Sequence, residues 1–248
     1  MDRLEAVRSR GRKLFTAFMT LGDPLALADQ AGLYVESGVD VLELGVPHTN
    51  PFMDGPVVAQ SMQRALQAGV TPAVAQQLLV AVRRRFARTP IVVMGYGNVG
   101  AVVRARDGEA LADAVLSIGN GIDRIPRDIA RIAFVSNKVE SHEIAAARDS
   151  RSYVVLQANR GKTGLRPSLP KINAAKIRRV RHGGVRAPVL LGFGVSTPEQ
   201  AALAVQFGAD GVVIGSACLQ AAQRGETALR EFLTRVRSAL DRPEPFLQ

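Results

Sequence analysis

Val39-Asp40-Val41-Leu42-Glu43-Leu44-Gly45-Val46 is an apolar run with two carboxylates set into it, preceded by Gly38 and followed by Pro47. Its length and β-branched content favour a strand, and apolar residues on both faces are the mark of a parallel strand covered by helices on one side and by more core on the other. Runs of the same kind recur at Phe15–Thr20, Ile91–Met94, Arg131–Ser136, Tyr153–Gln157, Val189–Phe193 and Val212–Gly215. Amphipathic stretches rich in Ala, Leu and Arg lie between them. Thr71-Pro72 opens a helix that runs to Arg85, and Ser196-Thr197-Pro198-Glu199 opens one to Phe207, each with an N-cap and a proline in the first turn. Gly38 and Gly208 end helices. This alternation is that of βαβ units around a buried parallel sheet.

The chain has 248 residues, close to the ~250 of one (β/α)8 TIM barrel. With no linker and no strong internal repeat, 1–248 is expected to be a single TIM-barrel domain. The fourth strand has two readings. Gly121–Pro126 as a strand leaves only about four residues before the next one, where a parallel crossover needs about a dozen. Ala114–Gly119 as the strand, with Ile122–Ala130 as a short crossover helix, fits more closely. Under either reading the barrel is irregular around strands four and five.

Composition narrows the function classes. No apolar run approaches the ~18 residues of a membrane span, and the charged stretch Met1–Lys13 lacks the apolar core of a signal peptide. A cytoplasmic location is expected. Cys218 is the single cysteine, so neither an internal disulfide nor a thiolate metal cluster is possible. The three histidines, at 48, 142 and 182, lack ligand spacing, so no metal site is expected. Net charge is +10, but the arginines are scattered, with denser groups at Arg83-Arg84-Arg85 and at Arg178, Arg179 and Arg181 on outer helices. There is no tryptophan and aromatics are 5%, which leaves few stacking platforms for a nucleic acid. A solvated basic surface that attracts phosphorylated ligands or an acidic protein is the plainer reading.

In a barrel the chemistry belongs on the loops after the strands, with phosphate bound after strands seven and eight. Gly192-Phe193-Gly194-Val195-Ser196 and Gly215-Ser216-Ala217 stand there, and Gly161-Lys162-Thr163-Gly164 follows strand six. Glycines let an anion approach the backbone, and the next helix N-terminus offers free N–H donors. Glu43 shares a strand face with Val39 and Val41, and a buried acid is costly unless it is partnered or functional. Asp54 lies in the turn-rich loop Asn50–Pro56 that leaves the same strand. Two carboxyls in different surroundings can divide acid and base roles.

Taken together, these residues resemble the tryptophan synthase α subunit family. The resemblance is carried by Phe18-Met19-Thr20-Leu21-Gly22-Asp23-Pro24, Glu43-Leu44-Gly45-Val46-Pro47, Asp54-Gly55-Pro56, Arg64-Ala65-Leu66, Met94 through Asn98, the 161–164 loop, Gly192-Phe193-Gly194 and Gly215-Ser216-Ala217. It implies a cofactor-independent lyase that cleaves indole-3-glycerol phosphate by retro-aldol chemistry. Glu43 would be the acid/base at indole C3, Asp54 would stabilise charge on the indole nitrogen, and Thr163 would close the strand-six loop over Asp54. Gly164, Gly194, Gly215 and Ser216 would hold the phosphate, and Phe18, His48, Tyr96, Tyr153 and Val155 would line the substrate pocket. The partners implied are a phosphosugar substrate and a tryptophan synthase β-type protein, with no role for nucleic acid or membrane.

The chain departs from the family at several places. Pro47-His48-Thr49-Asn50-Pro51 replaces Pro-Phe-Ser-Asp-Pro, in a loop that also contacts the β subunit. Val155 stands where the family often has tyrosine, Arg124-Ile125-Pro126 replaces Asp-Leu-Pro, and the turn after strand five is Asn137-Lys138-Val139-Glu140. The changes ring the indole side and leave the phosphate side intact. Two other readings fit these residues: a phosphosugar barrel enzyme acting on a different ring, and a silent regulatory partner. Retention of Glu43, Asp54 and Thr163 speaks against the silent form.

Overall fold

The computed structural model describes residues 3–97, 99–119 and 125–242. The strands are β1 (Leu14–Thr20), β2 (Val41–Gly45), β3 (Ile91–Tyr96), β4 (Ala114–Ile118), β5 (Ala130–Arg131), β6 (Ala133–Val135), β7 (Val154–Gln157), β8 (Val189–Gly192) and β9 (Gly211–Ile214). Every pairing is parallel, in the order β5-β4-β3-β2-β1-β9-β8-β7-β6. β5 and β6 are two pieces of one barrel position, interrupted at Ile132. β5 pairs with β4 and β6 with β7, and between them the Ile132 N–H donates to the Val115 carbonyl at 2.9 Å. That split position closes the ring into eight.

Strand alternation sorts the apolar side chains into two layers. Phe18, Val41, Val92, Met94, Leu116, Val155 and Leu190 fill the barrel interior. Leu42, Leu44, Val93, Val115, Leu156 and Val189 face outward into the helix layer. Glu43 therefore points inward with Val41. Val39 lies before β2, in the turn after a helix, and packs in the outer layer, so it does not share that face as the sequence suggests.

The helices are α1 (Arg3–Arg8), α2 (Gln30–Glu36), α3 (Pro56–Gln67), α4 (Pro72–Arg85), α5 (Ser141–Arg148), α6 (Ile172–His182), α7 (Pro198–Gln206), α8 (Ser216–Gln223) and α9 (Glu226–Asp241). Thr71 and Thr197 cap α4 and α7 by accepting the Val74 and Gln200 N–H groups, each with proline inside the first turn. Gly38 has a φ of +87°, and its N–H and that of Val39 return to the Val35 and Tyr34 carbonyls, a Schellman end for α2.

Ala114–Gly119 is the correct placement of strand four, seen as β4. The helix expected over Ile122–Ala130 is absent from its described part, where 125–129 forms a turn with the Ile129 N–H on the Pro126 carbonyl and Ala130 already belongs to β5. Pro126 would sit in the middle of such a helix, where its ring clashes and a hydrogen bond is lost, at a cost of about 3 kcal/mol. The other reading also fails over its described residues, since Ile125 and Pro126 lie in no strand. The rest of both segments, 121–124, lies outside the described residues. The β3–β4 link is similarly reduced, to a 3-10 turn (Val99–Ala101) and one antiparallel bridge between Arg104 and Ala110.

Arginines also serve the interior, which a reading of them as solvated surface overlooks. Arg83 is buried, donating to Asp113 at 2.6 Å and to the Leu111 carbonyl. Asp40 is buried at the foot of β2, where it takes Arg12 on one oxygen and, on the other, Arg237 at 2.9 Å and the Phe15 N–H at 3.0 Å. Arg237 also reaches the Lys13 carbonyl and Asp241, tying α9 to β1 and β2. Arg237→Ala strips a buried carboxylate of its innermost partner, so equilibrium denaturation should show a loss of about 3 kcal/mol. Turnover at the far end of the barrel should not change.

Candidate active site

Glu43 projects from β2 between Phe18 of β1 and Val92 of β3, its partners in register. It is only 4% exposed, and its Oε2 has no hydrogen-bond partner among the described residues. Among the described residues no cation pairs with it. Burial in this apolar layer, with help from the nearby Asp54 charge, pushes its carboxyl up to about 8, so the group holds its proton at neutral pH. Tyr153 lies fully buried one step deeper, with its phenol pushed up by burial and then by the Glu43 charge.

Asp54 reaches the same cavity from the loop after β2. It accepts the Tyr96 hydroxyl at 2.6 Å on one oxygen and the Thr163 hydroxyl at 2.9 Å on the other. Burial raises its carboxyl, while those two hydrogen bonds and the Lys162 charge pull it back. The two acids thus differ in kind: one has no partner to hold its charge, and the other is held on both oxygens.

Thr163 belongs to the loop after β7, which is latched over the mouth. The Gly55 N–H donates to the Thr163 hydroxyl at 3.0 Å, and the Thr163 N–H donates to the Met53 carbonyl at 3.0 Å. The root of this lid is anchored from behind. Lys176 of α6, buried, donates to the Gln157 and Ala158 carbonyls at 2.7 and 2.9 Å. Burial lowers its ammonium to about 8. Farther along, the Gln200 side chain donates to the Arg166 carbonyl at 2.8 Å.

Glu43 shares its cavity with a glycine-rich recess made by Gly164, Gly194, Gly215 and Ser216. Gly194 has a φ of +112°, and a Cβ there would lie 2.5 Å from the Asn159 side-chain nitrogen, so only glycine fits. Ser216 opens α8 with its first-turn N–H groups free of helical bonds, and its buried hydroxyl has no partner among the described residues. Phe193, between Gly192 and Gly194, is left-handed at φ +63°, a strained state for a bulky residue. The ring of Phe134 at 5.2 Å and a hydrogen bond from Asn159 to its carbonyl hold it there.

Phe18, Glu43, Asp54, Val155, Thr163, Gly164, Gly194, Gly215 and Ser216 therefore line one cavity. Tyr96 stands one bond behind Asp54. His48 is outside the lining, half-buried against the Tyr96 ring at 5.5 Å, its Nδ1 accepting the Asn50 N–H. Tyr153 is sealed beneath the floor. Met94, Leu116, Ile118 and Val58 complete the apolar wall; in sequence they are indistinguishable from core. Among the described residues no cluster of His, Cys, Asp and Glu could hold a metal.

A closed parallel barrel with an uncompensated carboxyl and a glycine recess at its strand ends defines a TIM-barrel enzyme. A family model described as tryptophan synthase alpha chain matches residues 4–116 and 124–243, with its internal break at the end of β4 and the link after it. The tryptophan synthase alpha chain of Geobacter sp. (strain M21) is 35% identical over 240 residues, covering 88% of this chain and 87% of that one. That of Synechococcus elongatus is 33% identical over 261 residues, covering 97% and 96%. Among solved structures, tryptophan synthase from M. tuberculosis in its aminoacrylate-bound form is 26% identical, with a TM-score of 0.77 over 97% of this chain and 100% of that chain. The alpha chain of Legionella pneumophila subsp. pneumophila shares the fold, with a TM-score of 0.79 over 98% of both chains. The chain belongs to the tryptophan synthase alpha chain family.

Proposed function

We infer that this protein is a carbon–carbon lyase that cleaves indole-3-glycerol phosphate to indole and glyceraldehyde 3-phosphate. The observation that carries the reading is Glu43, a buried carboxyl without a hydrogen-bond partner on Oε2 among the described residues, facing the same cavity as Asp54 and the glycine recess. Protonated Glu43 delivers its proton to indole C3, and positive charge develops on the ring nitrogen opposite the Asp54 carboxylate. The resulting Glu43 carboxylate takes the proton of the glycerol hydroxyl. As the C–C bond breaks, its electron pair returns to the ring and the hydroxyl carbon becomes the aldehyde. The phosphate, held by Gly164, Gly194, Gly215 and Ser216, anchors the substrate so that remote binding energy orients the reacting carbons. Thr163 keeps the lid shut and Asp54 oriented, excluding water.

A tryptophan synthase β-type chain is the protein partner. Among the described residues the exposed large hydrophobics are Leu25, Phe52, Leu165 and Ile172, all on segments that follow strands at the mouth. Apolar surface concentrated on that rim suits docking over the opening through which indole leaves. No single described helix is long and apolar enough to cross a membrane; a cytoplasmic location is part of the same proposal.

Incubation of the purified chain with indole-3-glycerol phosphate should release indole and glyceraldehyde 3-phosphate in equal amounts, and glycerol 3-phosphate should compete. Competition by glycerol phosphate without any indole would favour a different ring substrate and overturn this assignment.

A further inference from the structure

Arginines that are far apart in sequence meet in one groove at the barrel end opposite the mouth. Arg3 and Arg10 come from α1 and the turn after it, and Arg88, Arg127 and Arg151 from the approaches to β3, β5 and β7. The floor between them is made of alanines, Ala6, Ala87 and Ala112 among them, which leave it concave and free of bulky side chains. Two carboxylates face the groove, and both are already engaged: Asp113 by Arg3 at 2.9 Å and by buried Arg83, Asp128 by Arg104. Arg10, Arg88, Arg127 and Arg151 are exposed, and their guanidiniums make no hydrogen bond or ion pair with any described residue. Four unanswered cations around a concavity focus a positive potential there.

We propose that this groove is a second anion site, distinct from the catalytic cavity, that binds a small ligand carrying two or more linked phosphates. Every free cation in it is arginine, whose planar fork matches a phosphate bidentately where lysine offers only a point charge. The guanidiniums come from four separate segments, so a ligand with one anionic group engages only part of the set. A nucleic-acid strand fits less well: no aromatic side chain lines the groove for base stacking, and Asp113 and Asp128 interrupt the positive track.

The test is calorimetric titration of the whole chain with tripolyphosphate and, separately, ATP, at about 0.15 M salt to screen diffuse surface charge. Glycerol 3-phosphate is kept present to fill the mouth. Both probes should bind with similar micromolar Kd. The Arg88→Ala/Arg127→Ala double variant should weaken binding about tenfold or more, the size expected for losing charged hydrogen bonds. A control double variant, Arg178→Ala/Arg179→Ala, removes the same charge from exposed positions on α6 and should leave the Kd nearly unchanged. Thermal unfolding of both variants checks that they fold. Equal weakening by the two variants, no binding at millimolar probe, or binding only of a single-stranded oligonucleotide would each overturn the proposal.

Discussion

Glu43→Gln should lower kcat for indole-3-glycerol phosphate cleavage by about 10²–10⁴-fold, the range for loss of a positioned acid/base. KM should move little. The amide keeps the shape of the side chain and its place between Phe18 and Val92, but it has no proton to give to C3 and no charge with which to collect one from the hydroxyl. The same residue fixes two pH dependences. Because the protonated form starts the reaction and its carboxyl lies at about 8, kcat/KM of the wild type should fall as pH rises past that value. For stability the sign follows from proton counting. The unfolded carboxyl titrates near 4.5 and the folded one near 8, so between those values the folded protein keeps a proton that the unfolded chain has released. Stability therefore declines as pH climbs through that window. In Glu43→Gln most of this decline should vanish, leaving the smaller share that raised Asp54 contributes in the same sense. Denaturant midpoints measured across the window would check it. A variant that keeps wild-type kcat removes Glu43 from the mechanism, whatever the denaturation curves show.

Legibility in the sequence follows the strength of local signals. β2 and its inward Glu43, the proline-led starts of α4 and α7, and the glycine recesses after β7, β8 and β9 all rest on patterns confined to a few residues. What escaped the reading depends on long-range closure. Leu116 and Ile118 wall the cavity from β4, the strand with two possible placements, and apolar strand residues carry no mark that separates wall from core. The split of one barrel position at Ile132 has no sequence signal, because it arises from the need to pair with β4 on one side and β7 on the other. Tyr153 looked equivalent to Val155 because they share a face two residues apart. Depth along the strand decides between them, and the deeper one is sealed. The groove arginines lie in different segments and become a cluster only when the barrel closes.

A long-range contact between the loop after β2 and the lid, silent in the sequence, has the other large effect. Gly55 has φ −83° and ψ 179°, extended backbone that alanine adopts freely, and it precedes proline, where an extended conformation is favoured anyway. Yet a Cβ at this position would fall 2.0 Å from the Thr163 carbonyl oxygen, a backbone atom that no rotamer change can remove. Gly55→Ala therefore leaves the fold intact and denies the lid its closed position. The Thr163 bond to Asp54 and the Gly55 N–H bond to Thr163 are lost together. Asp54 then keeps only the Tyr96 bond, and its other oxygen faces incoming water. An ångström of misplacement remote from the bond being broken is enough for about a 10²-fold loss, and kcat/KM should fall by at least that much while the denaturation midpoint stays put. Trypsin supplies an independent readout, since Arg160 and Lys162 lie on the lid and both are exposed. In the wild type, glycerol 3-phosphate should protect these bonds by favouring closure; in Gly55→Ala it should not. Full activity in the alanine variant, with trypsin protection retained, would mean that the lid closes along a path this geometry does not allow. The latch between 55 and 163 would then have no part in catalysis.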